Sequence, residues 1–328
     1  MDLFEKNGNC IYILNVLKKY TDEEHIISVA EIQRKVKEIY DVDIDPRTIR
    51  RNINLLKYKL NYDISTREDN NKGYYISRDP ETDFETGEIR AIIDTFNYSN
   101  FIVPSVAKGI IEKCKNLQNI YENEKLKDYQ IYVPDNKTQN KEVIKNMEDI
   151  SEAILNNNKI SFEYWKYKLN DKLEKQISST PTVSPYAIVY NKQEFYLICL
   201  KDGKEELSHY RIDKMKNVKV IKDSKVVHKT KKEVRDFALS AVEMFGGETT
   251  KMTVTCNNIL LDEVIERFGK DISINKVDDD TFKMTVEANI MGFKFWVMRN
   301  MDLVTVLKPE SLRAEIKEIA EKAYKEYK

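Results

Sequence analysis

The stretch Asp45-Pro46-Arg47-Thr48-Ile49-Arg50-Arg51-Asn52-Ile53-Asn54-Leu55-Leu56 decides how the first quarter of the chain reads. An aspartate followed by proline marks a helix start. The carboxylate accepts from free backbone N–H groups, and the fixed φ of proline suits the first helical position. Ile49, Ile53 and Leu56 recur at i, i+4 and i+7 and define the buried face. Arg47, Arg50, Arg51 and Asn54 fall on the opposite arc. Between Asp45 and Lys59, five basic residues stand against one acid, so the local charge is +4. Arginine can fork onto a guanine edge or a phosphate, and asparagine onto adenine.

The flanking segments give that helix a context. Upstream, Ile11, Leu14, Val16 and Leu17 recur at helical spacing. Ser28 and Glu31 form a capping-box pair ahead of Ile32, Val36 and Ile39. Downstream, Asp63-Ile64-Ser65-Thr66 and Gly73-Tyr74-Tyr75-Ile76 are extended runs around the polar tip Glu68 to Lys72. Three helices followed by a hairpin spell a winged helix-turn-helix over residues 1–78. Its candidate contacts to double-stranded DNA are Arg47, Thr48, Arg50, Arg51, Asn54, Lys57 and, from the wing, Lys72.

Whole-chain composition bounds the remaining choices. With 328 residues, the usual ~150 residues per domain gives about two domains. Lys and Arg number 54 and Asp and Glu 55, for a net charge of −1, which hides the basic helix inside a balanced total. No run approaches the ~18 apolar residues of a membrane span, and the first residues lack a signal-peptide layout. Cys10, Cys114, Cys199 and Cys256 are scattered, as expected of buried thiols in a reducing cytoplasm. The nine glycines form neither a P-loop nor GxGxxG, and the doublet Gly246-Gly247 reads as a helix stop. No cofactor is expected.

Residues 79–142 read as a helical connector. Phe84, Ile89, Ile92, Ile93 and Phe96 form one apolar stripe, and Ile110, Ile111, Cys114, Leu117 and Ile120 another, with contacts in a homodimer as one use for them. Asp135 to Asn140 is polar and reads as a hinge. After a helix carrying Val143, Met147, Ile150 and Ile154, the period changes to two. Strands are expected at Ile160 to Tyr164, Thr182 to Val189, Glu194 to Leu200, Leu207 to Ile212 and Asn217 to Ile221, with turns at Asn191-Lys192 and Asp202-Gly203. Five short strands behind a helix form a small, strongly bent barrel over 143–223.

Strand parity assembles a cluster there. With Phe195 and Leu197 facing the core, Tyr196 faces out. With Tyr210 and Ile212 facing in, His209 and Arg211 face out. Lys214 opens the next turn and can join them. A stacking ring, an imidazole, a guanidinium and an ammonium suit the bases and phosphates of a short single strand. An exposed sheet face with no ligand accounts for the same pattern. Ser208 falls with the inward set, and Tyr186 is a secondary candidate.

Residues 224–328 read as an α/β unit in β-α-β-β-α order, ferredoxin-like. Thr230 and Glu233 cap a helix running to Phe245; Met252 to Cys256, Phe282 to Ala288, Phe293 to Met298 and Val304 to Leu307 are strand-like; Pro309 opens a final helix. Catalysis is not expected. His25, His209 and His228 have no metal-ligand partner at i+4, neither HExxH nor GxSxG occurs, and Asp278-Asp279-Asp280 reads as a solvated turn.

Several of these motifs resemble WYL-domain transcriptional regulators. The run Ile44 to Ile53 with Lys72 to Ile76 is similar to their N-terminal reader. Ser184-Pro185-Tyr186, Phe195-Tyr196-Leu197 and His209 to Met215 follow the order and spacing of the WYL domain, with Phe195 where the naming triplet has tryptophan and Lys214 where a second arginine is usual. Met244 to Glu248, Phe295-Trp296-Val297 and Val306 to Arg313 are similar to the C-terminal extension of such proteins. The resemblance implies an α+β multidomain chain with four parts: a winged helix-turn-helix, a connector, an SH3/Sm-like five-stranded barrel and a ferredoxin-like extension. It implies a cytoplasmic, homodimeric, duplex-binding regulator whose WYL domain senses single-stranded DNA or RNA through Tyr196, His209, Arg211 and Lys214. The competing expectation is a single-strand- or RNA-binding accessory protein that uses its helix-turn-helix as a dimer scaffold.

Overall fold

The computed structural model describes residues 3–126, 136–169, 173–191, 193–240 and 249–328. The chain divides into two compact units, Met1–Lys137 and Thr138–Lys328.

The first unit opens with helices α1 (Leu3–Tyr20), α2 (Val29–Tyr40) and α3 (Pro46–Tyr58). Both predicted caps form: Glu31 N–H donates to Ser28 Oγ at 3.2 Å, and Asp45 Oδ1 accepts from the N–H groups of Arg47 and Thr48 at 3.0 and 2.9 Å. The core is Ile13, Val16 and Leu17 of α1, Ile32 and Val36 of α2, and Ile49, Ile53 and Leu56 of α3. Each such side chain contributes about 1.5–3 kcal/mol by leaving water. Ile11, expected on the buried stripe of α1, is 60% exposed, because the helix turns Ile13 inward instead.

Strands β1 (Ile64–Ser65) and β2 (Tyr75–Ile76) pair antiparallel, and Ile27 bridges to Tyr74. The polar tip between them is not plain loop. It holds a one-turn helix, α4 (Arg67–Asn70), capped by Asp69, whose Oδ2 accepts from Thr66 N–H at 2.7 Å.

Helices α5 (Thr86–Tyr98), α6 (Pro104–Lys115) and α7 (Ile120–Lys125) follow. The two predicted stripes bury largely against each other, Ile89 and Ile93 packing with Ile111 and Leu126, while Phe84 and Leu117 stay exposed. This helical part is fastened to the preceding segment. Gln118 Nε2 donates to the Phe84 carbonyl at 2.7 Å and accepts from Arg78 at 3.0 Å, and the His25 ring stacks on Tyr121 with centroids 3.4 Å apart. The stretch expected as a polar hinge behaves differently where it is described. Lys137 is buried, its Nζ donating to the carbonyls of Ser99 and Phe96 at 2.7 and 3.2 Å. Asp135 lies outside the described residues.

The second unit begins with α8 (Val143–Leu155) and strands β3 (Lys159–Leu169), β4 (Leu173–Ser179), β5 (Thr182–Asn191), β6 (Glu194–Lys201) and β7 (Leu207–Arg211). A 3-10 turn, Ile212–Lys214, leads to β8 (Met215–Ile221). The sheet has six strands rather than the five expected, in the order β4-β3-β5-β6-β7 with β8 on β3. The added strand, β4, is mostly polar and becomes a strand by pairing with the outer half of β3 beyond a bulge at Tyr164/Trp165. That bulge and another at Pro185/Ala187 curl the sheet. Asn140 and Asn146 both donate to the Met215 carbonyl, at 2.6 and 2.9 Å, and fix the start of β8. Lys192 of the expected Asn191-Lys192 turn is outside the described residues; Gly203 of the other turn takes a φ of 76°.

The rest of the unit comprises α9 (Lys231–Ser240), β9 (Thr249–Asn257), α10 (Leu261–Phe268), β10 (Ser273–Lys276), β11 (Thr281–Asn289), α11 (Ile290–Arg299), β12 (Val304–Lys308) and α12 (Glu310–Glu326). Its sheet runs β10-β11-β9-β12 with antiparallel neighbours. The segment Phe293 to Met298, expected as strand, is the interior of α11. Its apolar residues satisfy both periods, and the cap decides: Asn289 accepts from Met291 and Gly292 N–H at 3.0 and 3.1 Å, and Phe293, Trp296 and Val297 turn into the core. The element order is therefore β-α-β-β-α-β-α. The expected stop at Gly246-Gly247 lies outside the described residues. Among the described residues no helix is long and apolar enough to cross a membrane.

Candidate functional site

Two surfaces carry the predicted residues. On α3 the side chains of Arg47, Arg50, Arg51 and Asn54 are exposed, and none makes a side-chain hydrogen bond or close ion pair among the described residues. Thr48 is half-buried, its carbonyl accepting from Asn52 at 2.9 Å. Lys57 stands apart from the arginines. Its Nζ lies 2.5 Å from Asp69 Oδ2, which ties α3 to α4. That hydrogen bond, with those from Thr66, holds Asp69 at about 2, well below the usual carboxylate range. Lys72 is exposed just past α4. Next to it, Gly73 has no room for a side chain: a Cβ there would lie 2.5 Å from the Ile27 carbonyl oxygen.

The second surface is on the curled sheet. Register pairs Tyr196 with Arg211 and Ile198 with His209, so Tyr196, His209 and Arg211 share one face as parity requires. The Tyr196 and His209 rings meet edge to face at 5.7 Å. This face is not an open one. Ile198 is fully buried beneath Val234 and Phe237 of α9. His209 is largely covered, with Nδ1 buried and lacking a hydrogen-bond partner among the described residues, and burial lowers its pKa.

Arg211 is held from two sides. Its Nε and Nη2 donate to Asp213 Oδ1 and Oδ2, both at 2.9 Å, and Nη2 also donates to Glu194 Oε1. Burial alone would lower the guanidinium pKa, but the two carboxylates outweigh it and raise it. Burial and the nearby Asp213 charge push Glu194 up to about 7, against the pull of Arg211 and Lys214. Lys214 sits in the 3-10 turn, and burial, then Arg211, lowers its pKa.

A cavity of about 410 Å³ opens over this cluster, lined by Tyr164, Lys166, Ser178, Ser179, Tyr196, His209, Tyr210 and Arg211. Tyr210, expected in the core, lines it while its ring meets Phe162 and Tyr164 edge-on at 5.2 and 4.9 Å. Tyr164 is buried, which pushes its hydroxyl up to about 12, and that hydroxyl accepts from Arg211 N–H at 3.4 Å. Aromatic rings, two serine hydroxyls, an ammonium and a guanidinium in one concavity can stack a planar group and bind an anion.

Residues 145–220 match the WYL domain. The matched segment contains every residue lining the cavity. Over 95% of its length the chain is also similar to Proteasome accessory factor B/C (PafBC) of Arthrobacter aurescens, at 12% identity and a TM-score of 0.26, covering 47% of that chain. The present chain thus spans about half the length of that PafBC chain. A second solved structure, a CRISPR Cas-related protein, is similar at 14% identity and a TM-score of 0.39, covering 95% of this chain and 97% of that one. No curated protein matches the chain.

Within the WYL domain, the structure gathers Tyr196, His209 and Arg211 at the cavity and leaves Lys214 beside it. Tyr186 is elsewhere: its hydroxyl donates to the Val227 carbonyl at 2.7 Å, in a separate groove with Pro185 and His228. Ser208 pairs with Cys199 and does not line the cavity. Sequence reasoning missed Lys166, Ser178 and Ser179 because it missed the hairpin of β3 and β4. It missed Glu194 although the residue lies two positions before Tyr196, the spacing that puts two side chains on one face.

Proposed function

We propose that this chain is a DNA-binding transcriptional regulator whose WYL domain binds a short single-stranded nucleic acid and thereby alters duplex affinity. In this reading residues 1–78 are a winged helix-turn-helix and 79–142 a connector. Residues 143–223 are the sensor and 224–328 its extension. The protein acts as a homodimer in the cytoplasm, as a binding protein and not an enzyme. The observation that carries the reading is the outer face of α3, where Arg47, Arg50, Arg51 and Asn54 stand exposed while the neighbouring Lys57 is paired within the chain. Basic side chains kept out of internal ion pairs on one helical face suit phosphate and base-edge contacts. Across the cavity, Tyr196, His209 and Arg211 supply the stacking and anion groups a single strand requires. The ligand alters duplex affinity only by binding two arrangements of the protein unequally.

A titration of the full chain with duplex from its own promoter, across a salt series, tests the reading. Binding is expected to weaken steeply with salt and to be lost on combining Arg50→Ala with Arg51→Ala. Duplex affinity unchanged by that pair of substitutions overturns it.

A further inference from the structure

Glu194 precedes Tyr196 by two residues on β6, so both project from the same face of the sheet. It is only 7% exposed. One carboxylate oxygen accepts from Arg211 Nη2, and the other, Oε2, is buried with no hydrogen-bond partner among the described residues. Asp213 meanwhile engages the same guanidinium through two bonds. One arginine therefore serves two carboxylates, of which Asp213 is doubly bonded and Glu194 half-satisfied. A buried charged oxygen without a partner is unfavourable, which makes Glu194 the weaker holder.

The surroundings of Glu194 define what can replace it. Arg211 faces it from β7, and Asp213 and Lys214 from the 3-10 turn; Tyr196 is on its own strand, and the Tyr164 hydroxyl reaches Arg211 from β3. Lys166 and His209 line the adjoining cavity. An anion arriving over Tyr196 and Lys166 meets a guanidinium already occupied by an internal carboxylate.

We propose that Glu194 is a built-in competitor for the anionic part of the ligand. A phosphate group takes its place on Arg211, and Glu194 leaves the ion pair as a neutral acid, taking one proton from solvent. No covalent bond changes. The inference rests on the cavity being the ligand site of the proposed function and adds that anion binding is coupled to proton uptake. Its pKa of about 7 places the neutral form within reach at physiological pH, and a bound anion beside it favours that form further.

The test uses the full chain and two probes that do not titrate near neutrality: a tetramethylrhodamine-labelled thymidine tetranucleotide without terminal phosphate, read by anisotropy, and sulfate, read by calorimetry. Both are measured from pH 5.5 to 8.5 at constant ionic strength. Above pH 7 the wild-type affinity is expected to fall about tenfold per pH unit, the slope of one linked proton. Glu194→Gln is expected to bind at least tenfold more tightly at pH 8 and to lose the slope, whereas His209→Gln keeps it. Calorimetry of the wild type in two buffers of different ionisation enthalpy should show proton uptake approaching one per sulfate at pH 8, a readout that needs no variant. A slope that survives Glu194→Gln, a slope abolished by His209→Gln instead, or zero proton uptake overturns the inference. If sulfate behaves as expected and the tetranucleotide does not bind, the nucleic-acid reading fails and the competitor stands. Failure of both probes to bind wild type and Glu194→Gln at pH 6 overturns the competitor itself.

Discussion

Tyr196 and Arg211 are direct partners across the β6–β7 ladder, so a phenol ring and a guanidinium leave the sheet side by side. This pairing makes Arg211 the centre of the cavity, and its two carboxylate partners make it structural as well. Arg211→Ala strands Glu194 and Asp213 without their cation. A loss of about 3 kcal/mol is expected in urea unfolding, toward the low side for a buried network because the guanidinium is partly solvated. Arg211→Lys should retain most of the stability and still lose at least tenfold in tetranucleotide affinity by anisotropy, since an ammonium cannot reproduce the fork.

On α3 the arginines and Lys57 are expected to behave differently although all are basic. Arg50→Ala should lower the slope of log affinity against log salt by about 1. Lys57→Met should leave duplex affinity within about twofold, because its ammonium is committed to Asp69. Equal losses for both substitutions in a gel-shift salt series would contradict this division.

Gly73 is required for space. Its φ is not in the left-handed region, yet a methyl group would press on the Ile27 carbonyl, which accepts from Tyr74 N–H at 2.8 Å. Gly73→Ala is expected to cost about 1–3 kcal/mol, as overpacking usually does, with the loss read from the thermal midpoint. An unchanged midpoint would show that the β2 segment moves aside freely.

His209, which lines the cavity, and Glu194, paired with Arg211 beside it, give stability opposite dependences on pH. Burial lowers the pKa of His209, so the unfolded chain takes the proton first as pH falls, and stability drops as pH falls through about 6.5, the ordinary histidine value. Glu194 is raised in the folded state, so its contribution is complete below the ordinary glutamate value near 4.3 and is lost as pH rises through about 7. Denaturant midpoints from pH 5 to 8 should therefore rise more steeply with pH in Glu194→Gln than in wild type, and less steeply in His209→Gln. Parallel curves for all three proteins would refute both assignments.

Much of the first unit was legible because its signals are local. Ser28 with Glu31, and Asp45 with Pro46, are caps whose geometry needs only four consecutive residues, and Ile49, Ile53 and Leu56 name the buried face of α3 by spacing alone. In the curled sheet, period-two alternation placed Tyr196, His209 and Arg211 on one face, and the register agrees. The misses share a different cause. Leu173 to Ser179 carries too many polar residues to announce a strand and becomes one only against β3. Phe293 to Met298 satisfies both a strand and a helix period, and Asn289 selects the helix. Lys137 and Asn140 looked like hinge residues, since polarity usually means solvent; both are buried because carbonyls from distant residues are waiting for their donors.

By itself the sequence determined where α2 and α3 start, which side of α3 is basic, and which side chains of β6 and β7 share a face. These follow from caps and periods that act within a few residues. Only the tertiary structure decided which of those charges are free. The arginines of α3 remain exposed while Lys57 is spent on Asp69, and Arg211 is shared between Asp213 and a half-satisfied Glu194. The partners in such pairs come from separate elements that folding brings within hydrogen-bond reach, and no local pattern records that distance.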